Sequence, residues 1–400
     1  MMRKSIALAA MAVLAGPASA LAGNQPDLEA KVQELINQNR LLTERLGVVE
    51  KELAEQKEAG AKEKGAPAAE QKLLGSLGDR LTFSGLVEVE ANAAKDFAKT
   101  KTSDITLATV ELALDATMNE WSKGHLQFLF EEDADGNRIL VDEGTITLGN
   151  TEKFPFYMTA GKMYVPFGSY ASNMISDPLT LELGETNETT VQFGFEANGF
   201  AGSVYAFNGD IDETGEDNAV RSYGASIGYS LKEENGPSFD LGLDWLSNLA
   251  DTDAVQDYFA GLGTPITEVA DFPAGLAVHG ALQYGPWNVL AEYVTALEAF
   301  QATEIDFNGQ GAKPSAFMAE LAYGTEISGR EVTFALGYQQ TDEALALSLP
   351  ESRYLGAIRV GILDNTTLAF EYARDEDYDL AEGGTGEDGY SATVQLGYEF

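Results

Sequence analysis

The chain has 400 residues, and 25 Lys+Arg against 64 Asp+Glu leave a formal net charge of −39. That sign excludes nucleic acid as a partner. The absence of cysteine excludes disulfides, thiolate metal centres and cysteine nucleophiles.

Met1–Ala22 reads as a secretory signal peptide. Arg3 and Lys4 supply the charged start, Ile6–Leu14 the apolar run, and small residues a cut after Ala20 or after Ala22. Neither cut is followed by Cys, so no lipoprotein anchor is expected. No later stretch reaches the length of uninterrupted apolar residues that a membrane helix needs. In residues 23–56, Leu28, Val32, Leu35, Asn39, Leu42, Leu46, Val49 and Leu53 recur at alternating steps of four and three. This heptad seam predicts a self-associating coiled coil, with Asn39 as a polar core position that sets register and suits a dimer or a trimer. Residues 57–80 form the end of a linker, whose charged, Gly/Ala-rich run Ala54–Gln71 has no apolar face. Residues 1–80 hold 11 bases and 11 acids, so the entire net charge lies beyond them.

From Leu81 onward the apolar period is two, which marks strands with one apolar and one polar face. The predicted strands are Leu81–Ala91, Asp104–Ala116, His125–Glu132, Val141–Leu148, Phe156–Val165, Thr190–Glu196, Phe200–Phe207 and Arg221–Leu231. They continue with Phe239–Asn248, Ala274–Tyr284, Asn288–Ala296, Ser315–Tyr323, Glu331–Gln340, Arg353–Ile362, Thr367–Arg374 and Tyr390–Phe400. Connections after even-numbered strands are short and turn-like, such as Ala197-Asn198-Gly199. Those after odd-numbered strands are mostly longer and acidic, such as Asn208–Ala219 and Asp375–Gly389. Sorting of loops by parity is what a membrane barrel requires, with short turns and both chain ends in the periplasm and long loops outside. The fold class is therefore all-β, a sixteen-stranded antiparallel transmembrane β-barrel over residues 81–400, behind an N-terminal periplasmic coiled-coil helix. The final stretch, Ser391–Phe400, alternates strictly and stops on an aromatic. With Tyr398 and Phe400 it resembles the assembly signal that the barrel-assembly machinery reads.

The connection between the fifth and sixth predicted strands breaks the rhythm. Pro166 lacks an amide hydrogen and Gly168 permits a sharp change of direction. Leu179, Leu181 and Leu183 give the segment apolar anchors, so it should fold back against the barrel wall. Pro166, Phe167, Gly168, Asp177, Pro178, Glu182, Glu185 and Glu188 are the expected pore-constriction residues. The run Ala160–Tyr170 (AGKMYVPFGSY) and the following SNMISDPLTLELGET, between the coiled coil and the aromatic carboxyl terminus, resemble the LbtU-type siderophore porin family. More distantly they are similar to the phosphate-selective and general trimeric porins. The resemblance implies an outer-membrane barrel that admits small solutes, a constricting third outer loop, a homotrimer in outer-membrane lipid and lipopolysaccharide, and ferric siderophore as cargo.

By strand parity Glu88, Glu90, Glu111, Asp115, Glu131, Glu143, Glu196, Asp240, Asp244, Glu292, Glu320 and Glu371 face inward, against Arg353 and Arg359 as the main inward bases. A lumen of that sign concentrates cations and repels anions. The two histidines, His125 and His279, lack the serine and orienting partner that a hydrolase needs, so no catalytic residue is expected. Neither a metal site nor a cofactor is expected: Asp133–Asn137 and Asp210–Asp217 only begin like calcium loops, and the second carries Arg221 at the twelfth position. A structural tether with a closed barrel, working through its coiled coil, is the alternative.

Overall fold

The computed structural model describes residues 80–132, 138–215, 219–233 and 236–400. The predicted signal peptide, the coiled-coil positions, the linker and Asp133–Asn137 lie outside them. The strands are β1 (Leu81–Lys95), β2 (Lys101–Asn119), β3 (Ser122–Glu131), β4 (Arg138–Gly149), β5 (Phe156–Tyr164), β6 (Asn187–Ala197), β7 (Phe200–Phe207) and β8 (Ser222–Leu231). They continue with β9 (Ser238–Leu246), β10 (Gly275–Tyr284), β11 (Trp287–Ala296), β12 (Ser315–Ile327), β13 (Arg330–Asp342), β14 (Ser352–Leu363), β15 (Thr366–Glu376) and β16 (Asp388–Glu399). Each pairs antiparallel with its sequence neighbour and the sheet closes into a barrel. Every predicted strand is present, and several are longer than their apolar core: β2 has 19 residues and begins at Lys101.

Closure joins β16 to β1, from Leu86↔Glu399 to Lys95↔Tyr390. Phe400 extends the ladder by one position: its amide donates to Gly85 O at 3.0 Å and its carbonyl accepts from Gly85 N at 2.9 Å. The Phe400 ring lies where a Cβ on residue 85 would be, so glycine makes room for the terminal aromatic.

Outward positions carry large apolar side chains left bare, among them Phe83, Ile105, Ile146, Phe193, Val204, Leu241, Leu336 and Phe370. Aromatics bound this band at both ends. Near the short turns sit Phe200 against Tyr229 and Trp287 against Tyr323, with ring centroids 4.7 and 4.8 Å apart. Near the long loops sit Tyr223 against Trp245, Tyr338 against Tyr354 and Tyr372 against Tyr390. An apolar belt between two aromatic girdles matches a bilayer's hydrocarbon and its two interfaces. Among the tight turns, Asn198-Gly199 and Ser328-Gly329 have positive φ at both residues (54° and 82°, 53° and 75°), the mirror-image turn that follows strand twist.

The outer connections build a structure that the alternation did not reveal. After β9 come a 3-10 turn, Leu249–Asp251, and helix α2, Asp253–Gly261. Val255 and Phe259 of the helix pack with Ile211, Val269, Phe300 and Ile305 into an apolar cluster of loop residues. Asp251 receives the amides of Asp210 and Ile211 and the side chains of Ser222 and Asn248. Burial still pushes its carboxyl up to about 6.

Gly161 in β5 has φ 141°, and a Cβ there would overlap the carbonyl oxygen of Gly144 on β4. Gly161→Ala is expected to destabilise the refolded barrel by roughly 1–3 kcal/mol, the scale of overpacking against immovable backbone. The denaturant midpoint followed by tryptophan fluorescence reads the effect, and an unchanged midpoint would remove the proposed contact.

Candidate pore constriction

The segment between β5 and β6 leaves the wall at Val165, whose amide still pairs with Thr186 O at 3.0 Å. Proline at 166 ends that pairing, and Gly168 (φ 85°) turns the chain, with Tyr170 also left-handed (φ 54°). The Tyr170 ring fills the space a Cβ on Gly168 would occupy. A short helix, α1 (Leu179–Gly184), follows Pro178. Its residues 179 and 183 share one face, and Leu179 and Leu183 are buried with Phe167, Leu246 and Val294. Leu181 does not join that anchor. It lies on the other face of the helix and lines the open lumen, because the segment is helical there and spacing by two no longer means one side.

A segment inside a barrel carries amides that no strand can satisfy, and leaving them unpaired is costly. The inner wall supplies the acceptors. Gly168 N donates to Asp244 of β9 at 2.9 Å; Ser169 N and Tyr170 N donate to Glu292 of β11 at 2.6 and 3.1 Å. Thr180 Oγ1 also donates to Glu292, at 2.9 Å. Glu320 of β12 accepts from Asn173 N at 2.6 Å and Ser172 Oγ at 2.7 Å. Gln339 of β13 takes Leu179 N at 3.0 Å, and Glu371 of β15 takes the amides of Ile175 and Ser176. Four of the predicted inward carboxylates therefore hold the segment against the wall from β9 round to β15. Gln339 and the Ser172–Ser176 contacts were not anticipated. An inward Gln carries no signal that separates a clamp from an ordinary lumen residue.

Between the segment and the opposite wall lies a cavity of ≈ 720 Å³. The segment contributes Asp177, Glu182 and Glu185. The wall contributes Glu88 and Glu90 of β1, Glu111 of β2, Glu131 of β3 and Asp142 of β4. Arg353 is the base lining it, and its guanidinium is engaged by Asp375 through two bonds of 2.8 and 3.1 Å. Arg359 of β14, in register with Thr333 and Ala369, is not among the residues lining this cavity. Asp177 and Glu182 are exposed at the cavity surface, yet the surrounding protein desolvates them and holds both carboxyls above the usual range, with Arg353 opposing. Burial, then Asp253, Asp177, Asp142 and Glu182, push Glu185 up to about 8.

Asp142 escaped the parity count for a physical reason. Register on β3 passes from Gln127↔Glu143 to Phe128↔Val141, so Asp142 is the extra residue of a β-bulge and faces inward beside Glu143. It joins β4 to the bent top of β5 and β6, accepting from Tyr164 Oη at 2.9 Å and from Asn187 Nδ2 at 3.3 Å. Glu188 requires a correction: it is not on the connecting segment but is the second residue of β6, paired with Met163, because that strand starts three residues earlier than its apolar run. His279 also finds its partner elsewhere, at 3.2 Å from Asp244 on the neighbouring strand, while His125 lies 2.9 Å from Asp115.

No family model matches the chain. It is similar to a UPF0422 protein of Legionella pneumophila (strain Philadelphia 1), 33% identical over 328 residues that cover 76% of this chain and 61% of that one. A UPF0422 protein of Coxiella burnetii is 30% identical over 304 residues, covering 75% and 65%. The chain thus spans less than two thirds of the length of these relatives. Among solved structures, the outer membrane channel DcaP of Acinetobacter baumannii superposes with a TM-score of 0.54 at 15% identity, covering 80% of this chain and 97% of that one. The two share the fold of a closed antiparallel β-barrel. OmpT, an outer membrane protein of Vibrio cholerae, with loop L8 deleted, shares the same barrel fold (TM-score 0.52, 13% identity, covering 80% and 99%).

Proposed function

We propose that the chain is an outer-membrane porin that passes small hydrophilic solutes by diffusion and favours cations. The observation that carries this reading is the passage between the inward segment and β1–β4, walled on both sides by carboxylates while its arginine is tied to Asp375. In a narrow, low-dielectric passage such walls raise the local concentration of cations. The apolar belt and its two girdles supply the membrane contact, and the porin fold supplies the architecture. A siderophore cargo, which the family resemblance implies, fits only as a chelate without strong negative charge. The heptad seam around Asn39 supports self-association as a dimer or a trimer, porin precedent favouring the trimer, with residues 23–56 on the periplasmic side.

Liposomes loaded with the full chain should swell in small sugars and amino acids, at rates that fall steeply with solute size. Liposomes that do not swell in any solute would leave a closed barrel acting as a tether. Orientation has its own check. A protease site inserted beside Glu213 or Glu382 should be cut on intact cells, and one in the Ser328-Gly329 turn should be protected; the reverse would invert the barrel.

A further inference from the structure

We propose that this passage selects organic cations with an apolar body, ammonium-bearing solutes whose hydrocarbon part packs on aliphatic side chains in the lumen. The proposal rests on the channel reading above and names its preferred solute class.

Lumen-facing positions of a water-filled barrel are expected to be polar. Here Leu86 of β1, Leu129 of β3 and Ile175 and Leu181 of the inward segment line the same cavity as the carboxylates. Leu140 of β4 is the register partner of Leu129 and is 55% exposed, so it extends the strip toward the outer mouth. These side chains are not needed to anchor the segment, because Leu179, Leu183 and Phe167 already do so on the buried side. Leu86, Leu129, Ile175 and Leu181 are each partly exposed to this cavity, ringed by Glu88, Glu111, Glu131, Asp177 and Glu182.

An alkali cation gains from the carboxylates and nothing from the leucines. A hydroxylated ammonium ion of the same size gains little more, since its hydroxyls must give up water beside hydrocarbon. An ammonium ion with an alkyl or aryl body gains from both, by charge complementarity at one end and burial of apolar surface at the other. Burial of one methylene corresponds to about a fourfold change in occupancy when complete. Partial coverage in an open passage brings this to roughly twofold. A cavity of ≈ 720 Å³ has room for one aromatic ring and an aminoethyl arm together with water.

The test is open-channel current noise of the full chain in a planar bilayer in potassium chloride. Methylammonium, n-butylammonium, phenethylammonium and tris(hydroxymethyl)methylammonium are added in turn. Residence should lengthen from methylammonium to butylammonium to phenethylammonium, with the hydroxylated ion close to methylammonium. Leu181→Ser and Ile175→Ser, both outside the strand ladder, should each shorten phenethylammonium residence severalfold, with methylammonium residence in the same variant changing much less. Equal residence for butylammonium and the hydroxylated ion, or indifference to both variants, would overturn the apolar strip while the cation channel stands. No current, or a current carried by chloride, would overturn the channel reading and this inference together.

Discussion

Alanine at Glu292, Glu320 and Glu371 together is expected to raise single-channel conductance severalfold and admit larger solutes. These three side chains accept the amides of Ser169, Tyr170, Asn173, Ile175 and Ser176 and the hydroxyls of Ser172, Thr180 and Ser176. Hydrogen bonds to a charged acceptor contribute about 1.5–3 kcal/mol each, and a buried amide left unpaired adds its own desolvation cost. Their joint loss exceeds what the packing of Phe167, Leu179 and Leu183 can retain, so the segment swings off the wall. The strand ladder is independent of these bonds, so the barrel should persist. Among single replacements, Glu292→Ala and Glu371→Ala should have the largest effects, because each strands two adjacent amides and one hydroxyl. The readouts are conductance and the size limit for liposome swelling. Unchanged values for the triple variant would show that the carboxylate row does not position the constriction.

The second large effect is pH dependence of selectivity. Glu185 is held up to about 8 by burial, then by Asp253, Asp177, Asp142 and Glu182, so it is neutral below that pH and charged above it. Asp177 and Glu182 are also raised, by burial first. Negative charge in the passage therefore grows as pH rises, and cation preference should climb between pH 6 and pH 9, with a step near 8. The triple variant Asp177→Asn, Glu182→Gln, Glu185→Gln should flatten that profile and lower selectivity at every pH. The same neutralisation at Glu213 and Glu382 on the outer loops should do less, and salt should screen it more. A selectivity that falls with rising pH, or equal effects from the two sets, would show that the segment is not the filter.

Much of this molecule was legible in the sequence because a barrel strand reports its environment residue by residue. Period two gave the strand count, loop parity gave the topology, and Pro166 and Gly168 marked where the wall is left. The outer-loop cluster around Val255, Phe259 and Ile305 was not legible, since loop packing follows no period. The carboxylates divided in a way that no one-dimensional pattern records: Glu88 and Glu111 line the passage, whereas Glu292 and Glu320 fasten the segment. All four occupy the same kind of inward strand position, and only the path of the inward segment assigns them different work. Asp142 was hidden by a bulge that inverts parity, and Glu188 by a strand that extends past its apolar residues.

The reversal potential of the full chain in a planar bilayer, under a tenfold potassium chloride gradient at pH 7.5, tests the central claim most directly. A carboxylate-walled passage whose arginine is already paired predicts the sign of a potassium-selective channel. It also predicts a smaller potential when both salt concentrations are raised toward 1 M, where the Debye length falls to about 3 Å. A potential of the chloride-selective sign would contradict the account. Arg353 and Arg359 would then be the groups that govern the pore.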